Sequence, residues 1–269
     1  MSIIIPIIAV TVIGIVCGVM LVVASKFMAV PEDETFIAVR ECLPGANCGA
    51  CGYAGCDGYA HALADGEITE TTLCVPGGAD ASKQVAAALG MEAGEVVRKV
   101  AYVACCGDCN TVTPRHEYVG IQSCSAGKLL FAGESSCTFN CLGYGDCVAV
   151  CPQNAIYVRD GLARINAKLC VGCGICAKTC PNHLIHVVPE TVGTIVGCSS
   201  LEKGAVTRKA CKIGCIGCKK CEKECPAGAI HVQNNLAVID HEKCTNCGHC
   251  IEICTTGCIK PSNFNSNNG

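Results

Sequence analysis

One N-terminal transmembrane helix followed by small α+β domains, tied together by cysteine ligands and partly duplicated, is the fold class this sequence predicts. Three observations predict it: an uncharged apolar run of 22 residues near the N-terminus, 29 cysteines in a chain of 269 residues, and an internal repeat that aligns without gaps. With no tryptophan and aromatics at 4%, the chain lacks the large side chains of a conventional core. Something besides apolar burial must hold the cysteine-rich part together. A net charge of −3 also excludes a nucleic-acid binder that works through general positive charge.

Ile3 to Ala24 carries no charge and is rich in Ile and Val; as a helix it would extend roughly 33 Å, one bilayer crossing. A cleaved signal peptide would want Lys or Arg ahead of the apolar run, whereas only Met1 and Ser2 precede it and Lys26 follows. Residues 1–30 therefore read as a single-pass anchor with Cys17 packed inside it. Lys26 and Arg40 lie beyond the run and no basic side chain lies before it, so the positive-inside rule places the soluble domains on the cytoplasmic side of the cell membrane. That side is reducing, and cysteines there stay thiols and bind metal instead of forming disulfides. Pro31 to Arg40 follows as a short acidic linker, and a first cysteine domain ends near residue 80. In the connecting region 81–136, the alanine-rich Ala81–Leu89 predicts a helix stopped by Gly90, and Val96–Ala104 predicts a strand. The Ser/Asn/Gly-rich end, 261–269, is expected to be disordered.

Under one constant offset, Cys124, Cys137, Cys141, Cys147, Cys151, Cys170, Cys173, Cys176 and Cys180 fall on Cys198, Cys211, Cys215, Cys221, Cys225, Cys244, Cys247, Cys250 and Cys254. Ala155, Ile156, Val158, Leu162, Ala163 and Ile165 meet Ala229, Ile230, Val232, Leu236, Ala237 and Ile239 under the same offset. Such coincidence marks a duplicated module. Residues 137–184 and 211–260 form its two cysteine-rich copies, with 185–210 between them.

In the second copy Cys215, Cys218, Cys221 and Cys225, followed by Pro226, form C-x2-C-x2-C-x3-C-P, and Cys244, Cys247, Cys250 and Cys254 repeat the spacing. This is the bacterial ferredoxin run, whose fourth cysteine ligates the other cluster of a pair. Three close thiolates wrap one face of an iron-sulfur cube, and the fourth arrives from a distant turn. The spacing thus predicts tandem bacterial-type 2[4Fe-4S] ferredoxin folds, with Cys215, Cys218, Cys221 and Cys254 on one 4Fe-4S cluster and Cys225, Cys244, Cys247 and Cys250 on its neighbour. Thr255 stands where a proline often follows. The first copy keeps the run at Cys170, Cys173, Cys176 and Cys180, but Tyr144 occupies the position matching Cys218. Cys137 is expected to replace the missing ligand, giving Cys137, Cys141, Cys147 and Cys180 for one cluster and Cys151, Cys170, Cys173 and Cys176 for the next. Nearer the anchor, LPGANCGACGYAGCDGYA supplies Cys48, Cys51 and Cys56, which with Cys74 suit a fifth cluster. Its glycines let the backbone fold tightly and aim amides at sulfur. Cys42 is the alternative donor for this set, though its position before the Pro-Gly turn reads as a bystander's. Zinc competes for any C-x2-C pair, but triplets of this kind, four times over, speak for clusters.

LPGANCGACGYAGC behind a single N-terminal span, followed by CLGYGDCVAVCP and two ferredoxin modules, resembles RnfB, the B-subunit family of the membrane-bound Rnf ion-translocating ferredoxin:NAD oxidoreductase complex. The likeness covers nearly the whole chain, in the longer form of anaerobic clostridia and acetogens with a duplicated ferredoxin module. It implies a translocase subunit that takes electrons from reduced soluble ferredoxin and relays them to partner subunits. Those partners carry the flavins, reach NAD and couple electron flow to Na+ or H+ export. The ion coupling rests on the resemblance alone. In this chain no G-x-G-x-x-G after a strand and no G-x-x-x-x-G-K-[ST] is readable, so neither an NAD nor an ATP site is expected in it. Gly143 and Gly145 read as a tight turn between ligands, and His61, His183, His186, His231 and His249 as surface or hydrogen-bonding residues. Two rival readings stand beside it: a membrane-tethered polyferredoxin of a hydrogenase or formate dehydrogenase, which gives no reason for the LPGANCGACGYAGC domain, and a structural zinc-binding scaffold.

Five clusters take twenty cysteines and leave Cys17, Cys42, Cys105, Cys106, Cys109, Cys124, Cys198, Cys211 and Cys258. A sixth cluster joining the two copies would use Cys106, Cys124, Cys198 and Cys211, with Cys109 or Cys105 as alternatives; ordinary buried thiols are the other reading. From Lys203 to Lys223 lie seven basic residues, Lys203, Arg208, Lys209, Lys212, Lys219, Lys220 and Lys223, against one acid, Glu222. Lys219, Lys220 and Lys223 flank the ligands Cys218 and Cys221 and form an expected docking patch for an acidic ferredoxin; an ordinary solvated face is the alternative.

Overall fold

The computed structural model describes residues 4–27, 33–129, 132–262 and 264. The apolar run forms α1 (Ile4–Phe27), 24 residues long. Its side chains are described at residue 7 and from 10 to 24, nearly all exposed. Among the described residues no helix is long and apolar enough to cross a membrane. The segment expected to span the bilayer forms the helix α1.

Asp33 caps α2 (Glu34–Glu41), its carboxylate accepting the Thr35 N–H at 3.0 Å. α2 packs with α3 (Gly55–Ala64) and α4 (Gly78–Leu89) around Val39, Tyr59, Leu63 and Val85. α4 lies where the alanines predicted a helix, and it stops at Gly90, which takes a left-handed φ of +68°. The chain then runs through β1 (Lys99–Val103), α5 (Cys124–Leu129), α6 (Asp146–Ala149), β2 (Ile156–Arg159), β3 (Leu162–Ile165), α7 (Ile175–Thr179) and β4 (Ile185–Pro189). It continues through β5 (Thr194–Val196), α8 (Gly204–Ala210), α9 (Lys220–Lys223), β6 (Ile230–Gln233), β7 (Leu236–Ile239), α10 (His249–Glu252) and β8 (Ile259–Pro261).

The duplication is visible in the fold, since the offset that superposes the cysteines also lays α6, β2, β3, α7 and β4 on α9, β6, β7, α10 and β8. Each copy contains two antiparallel pairs: β2–β3 and β1–β4 in the first, β6–β7 and β5–β8 in the second. The hairpins turn on Asp160-Gly161 and Asn234-Asn235, all four at positive φ, as a two-residue turn matched to the strand twist requires. Small and β-branched side chains line both interiors. Ala155, Ile156, Ala163 and Ile185 in the first copy correspond to Ala229, Ile230, Ala237 and Ile259 in the second.

Two features depart from the expected divisions. β1 lies within Val96–Ala104, where a strand is expected, but it belongs with the first module, pairing with β4 along its whole length, Ala101 facing Val187. Order also continues past β8: Phe264 is buried against Val100 and Val192, with its ring 6.5 Å from that of Tyr102. An apolar gap beside β1 gives this one aromatic a place to bury, against the expectation of a disordered end. Residues 265–269 lie outside the described residues.

Candidate metal centres

Among the described residues, cysteines gather round five small cavities. Cys48, Cys51, Cys56 and Cys74 line one, walled by Leu43, Pro44 and Tyr59. The loop that carries them is tight enough that a Cβ on Gly55, at φ +86°, would come within 2.9 Å of Asn47 Oδ1. That oxygen accepts the Cys56 N–H at 2.8 Å and fixes the start of α3. In the second copy Cys225, Cys244, Cys247 and Cys250 surround one cavity, and Cys215, Cys218, Cys221 and Cys254 surround another, with Cys258 beside them. In the first copy Cys151, Cys170, Cys173 and Cys176 lie in mutual electrostatic reach.

The remaining pair of cavities redistributes the residues read from spacing. Cys141, Cys147 and Cys180 are joined by Cys124, not by Cys137. Helix α5 brings Cys124 in. Asp146 accepts the N–H groups of Cys124 and Ser125 at 2.9 and 3.1 Å and the Ser123 hydroxyl at 3.0 Å, and Lys128 Nζ donates to the Pro181 carbonyl. Burial alone would raise the Asp146 carboxyl, but these donors outweigh it and hold the group below its ordinary value. The Tyr144 ring lies against α5, where Gly127 leaves room for it; a Cβ there would be 2.8 Å from Tyr144 Cε2. Cys137 instead lines a cavity between the two copies with Cys105, Cys198 and Cys211. Of the cysteines expected at a sixth centre, Cys198, Cys211 and the alternative Cys105 line this cavity, Cys124 lines the first copy's, and Cys106 lines neither. Cys106 packs over Gly197, where any Cβ would clash with its sulfur. Cys109 is exposed, and Cys42 donates to the Ala38 carbonyl at 3.2 Å.

Backbone amides point at several of these sulfurs. Ala155 N–H reaches Cys151 Sγ and Ala229 N–H reaches Cys225 Sγ, both at 3.3 Å; Leu184 N–H reaches Cys180 Sγ at 3.5 Å, and Ala101 N–H reaches Cys170 Sγ at 3.3 Å. Burial pushes Cys147 up to about 12 and Cys176, Cys198 and Cys221 to about 11, so a metal centre must displace protons to be ligated there. Cys254 is the opposite case: the Cys258 thiol, with Sγ–Sγ 3.7 Å, holds it down at about 4.

Histidine lines none of the five cavities. His61 stacks on Phe36 with ring centroids 4.0 Å apart, and His231 lies 3.7 Å from Glu222. Gly143 and Gly145 take φ of +77° and +83° in the turn between Cys141 and Cys147. Among the described residues no group of three or more His, Cys, Asp or Glu is set closely enough to hold a single metal ion. Zinc draws four sulfurs to about 2.3 Å from one point, a closeness that no such group has among the described residues. All-cysteine donors, apolar walls and amides aimed at sulfur fit 4Fe-4S clusters.

Comparison with known proteins agrees with iron-sulfur clusters. A family model for a 4Fe-4S dicluster domain matches residues 207–255, one for a 4Fe-4S binding domain matches 163–186, and an Fe-S cluster model matches 43–76. The B subunit of the Na(+)-translocating ferredoxin:NAD(+) oxidoreductase complex of Acetobacterium woodii is 41% identical over 259 residues, which cover 96% of this chain and 78% of that protein. The proton-translocating counterpart of Clostridium ljungdahlii is 42% identical over 262 residues, 96% and 92% of the two chains. The B subunit of the ion-translocating oxidoreductase complex of Methanosarcina acetivorans is 41% identical over 248 residues, 92% and 94%. With relatives this similar over nearly its full length, the chain belongs to the RnfB family, the B subunits of ion-translocating ferredoxin:NAD(+) oxidoreductase complexes.

Proposed function

We propose that this chain is the electron relay of such a complex, taking electrons from reduced soluble ferredoxin and passing them to flavin-carrying and NAD-binding subunits that couple the flow to Na+ or H+ translocation. The observation that carries this reading is the unbroken succession of cysteine sets. Cys48 lies in electrostatic reach of Cys173, and Cys176 in reach of Cys147. Asn140 walls both the Cys124 cavity and the Cys137 cavity. The Cys215 N–H donates to Cys198 Sγ at 3.2 Å, and Cys215, Cys221 and Cys250 share one core.

4Fe-4S clusters, when bound, supply one-electron carriers at these positions. The chain would hold six of them, on Cys48, Cys51, Cys56 and Cys74; on Cys151, Cys170, Cys173 and Cys176; on Cys124, Cys141, Cys147 and Cys180; on Cys105, Cys137, Cys198 and Cys211; on Cys215, Cys218, Cys221 and Cys254; and on Cys225, Cys244, Cys247 and Cys250. The inter-copy set matters most to a relay, because it stands where one module would otherwise be separated from the other. Lys219 and Lys220 line the cavity of exposed Cys218, a fitting place for an acidic ferredoxin to dock, with Lys223 on the adjoining α9. The uncharged run from Ile3 to Ala24, with Lys26 after it, supports a membrane anchor with the cysteine domains on the cytoplasmic side.

The test is anaerobic mixing of the purified full chain with reduced ferredoxin, followed by the same donor with the assembled complex and NAD. Bleaching of the cluster absorbance by ferredoxin, and NADH formation in the complex, are expected. If dithionite bleaches the chain and reduced ferredoxin does not, the relay reading is wrong.

A further inference from the structure

The four cysteine runs of the ferredoxin modules end alike in three cases and differently in the fourth. Cys151, Cys180 and Cys225 are each followed by proline, and four residues on by Ala155, Leu184 and Ala229; Cys254 is followed by Thr255, Thr256, Gly257 and Cys258. The residue four places on is built into the centre, since in the first three runs its N–H donates to the sulfur of the run's last cysteine. At the first and fourth positions the fourth run therefore puts polar hydrogens, on Thr255 and Cys258, where the others put hydrocarbon, while Thr256 corresponds to Gln153, Asn182 and Ala227. Thr255 Oγ1 lies 4.0 Å from Cys218 Sγ, Thr256 Oγ1 3.8 Å from Cys254 Sγ, and Cys258 Sγ 3.7 Å from Cys254 Sγ. Cys258 is 2% exposed, so water does not compete for its proton.

A ligating thiolate has no proton to give, so in each of these contacts the hydroxyl or the Cys258 thiol must be the donor. Reduction adds negative charge that spreads onto the ligand sulfurs, and a donor aimed at them stabilises the reduced form more than the oxidised one. We propose that Thr255, Thr256 and Cys258 are positioning donors that raise the reduction potential of the centre on Cys215, Cys218, Cys221 and Cys254 above that of its repeat counterpart on Cys124, Cys141, Cys147 and Cys180. The proposal rests on the cluster reading above. It makes the centre beside Lys219 and Lys220 the more readily filled of the two.

The experiment is potentiometric titration, followed by low-temperature EPR, of the anaerobic full chain, its Thr255→Val/Thr256→Val/Cys258→Ala variant, Cys258→Ala alone and Cys258→Ser, with iron and sulfide measured in each. The triple variant is expected to keep its iron while one midpoint falls by a tenfold or larger change in the reduction equilibrium, about 59 mV for one electron. Cys258→Ser, which keeps a donor, should leave that midpoint near its original value. Unmoved midpoints at full iron content overturn the proposal. So does loss of about four irons in Cys258→Ala alone, which would make Cys258 a ligand. An unmodified chain without iron or sulfide would overturn the cluster reading as well, a failure the metal analysis tells apart.

Discussion

Whether Cys124 or Cys137 shares a centre with Cys141 can be decided by counting iron in paired variants. Six sets of four cysteines correspond to about twenty-four irons, and alanine at any one ligand should remove about four. Single variants are therefore uninformative, since Cys124→Ala, Cys137→Ala and Cys141→Ala would each retain about twenty. Pairs differ because two losses from one centre coincide and two losses from separate centres add. The geometry places Cys124 with Cys141 on one cavity and Cys137 on another. Cys124→Ala/Cys141→Ala should keep about twenty irons and Cys137→Ala/Cys141→Ala about sixteen. Iron and acid-labile sulfide are measured on anaerobically purified protein, with circular dichroism to confirm folding. The reverse order, sixteen for the first pair and twenty for the second, would return Cys137 to the ligand set that spacing suggests and refute the assignment.

Three further outcomes follow from the same geometry. Tyr144→Cys should restore about four irons to Cys124→Ala, because position 144 corresponds to Cys218; metal analysis of the double variant checks it. Gly172→Ala should destabilise the first module by more than about 2 kcal/mol, since Gly172 holds φ +66° and a Cβ would stand 2.5 Å from the Lys99 carbonyl oxygen; a denaturant midpoint unchanged from the parent would count against this. Changing Lys219, Lys220 and Lys223 to glutamate should slow reduction by ferredoxin strongly at low salt and little at about 1 M, where the Debye length has dropped to roughly 3 Å. Equal slowing of a small neutral reductant would move the lesion from docking to the centre itself.

The architecture was legible where it depends on spacing within a run. The constant offset between the two cysteine series predicted matching modules, and the fold repeats five elements at that interval. Ligand exchange between runs was less legible where one copy had lost a cysteine. Cys137 lies closer in sequence to Cys141 than Cys124 does, but Asp146 and the Tyr144–Gly127 contact dock α5 so that Cys124 is the one delivered. Nearness along the chain was the wrong guide to nearness in space. Cys105 and Cys106 follow directly on β1 and Ala104, where successive side chains point to opposite sides, and only the pairing of β1 with β4 decides which one faces the cavity. The same distant pairing made the connecting region part of the first module, and no local pattern announces it. Phe264 escaped notice because a single aromatic in a Ser/Asn-rich end carries no periodicity.

The central claim, a chain that holds a continuous series of iron-sulfur centres, is tested most directly by metal and sulfide analysis of the full chain purified without oxygen. The account predicts about twenty-four irons with an equal amount of acid-labile sulfide per chain and little zinc. A few zinc ions per chain with no sulfide would contradict it and leave a structural scaffold in place of a relay.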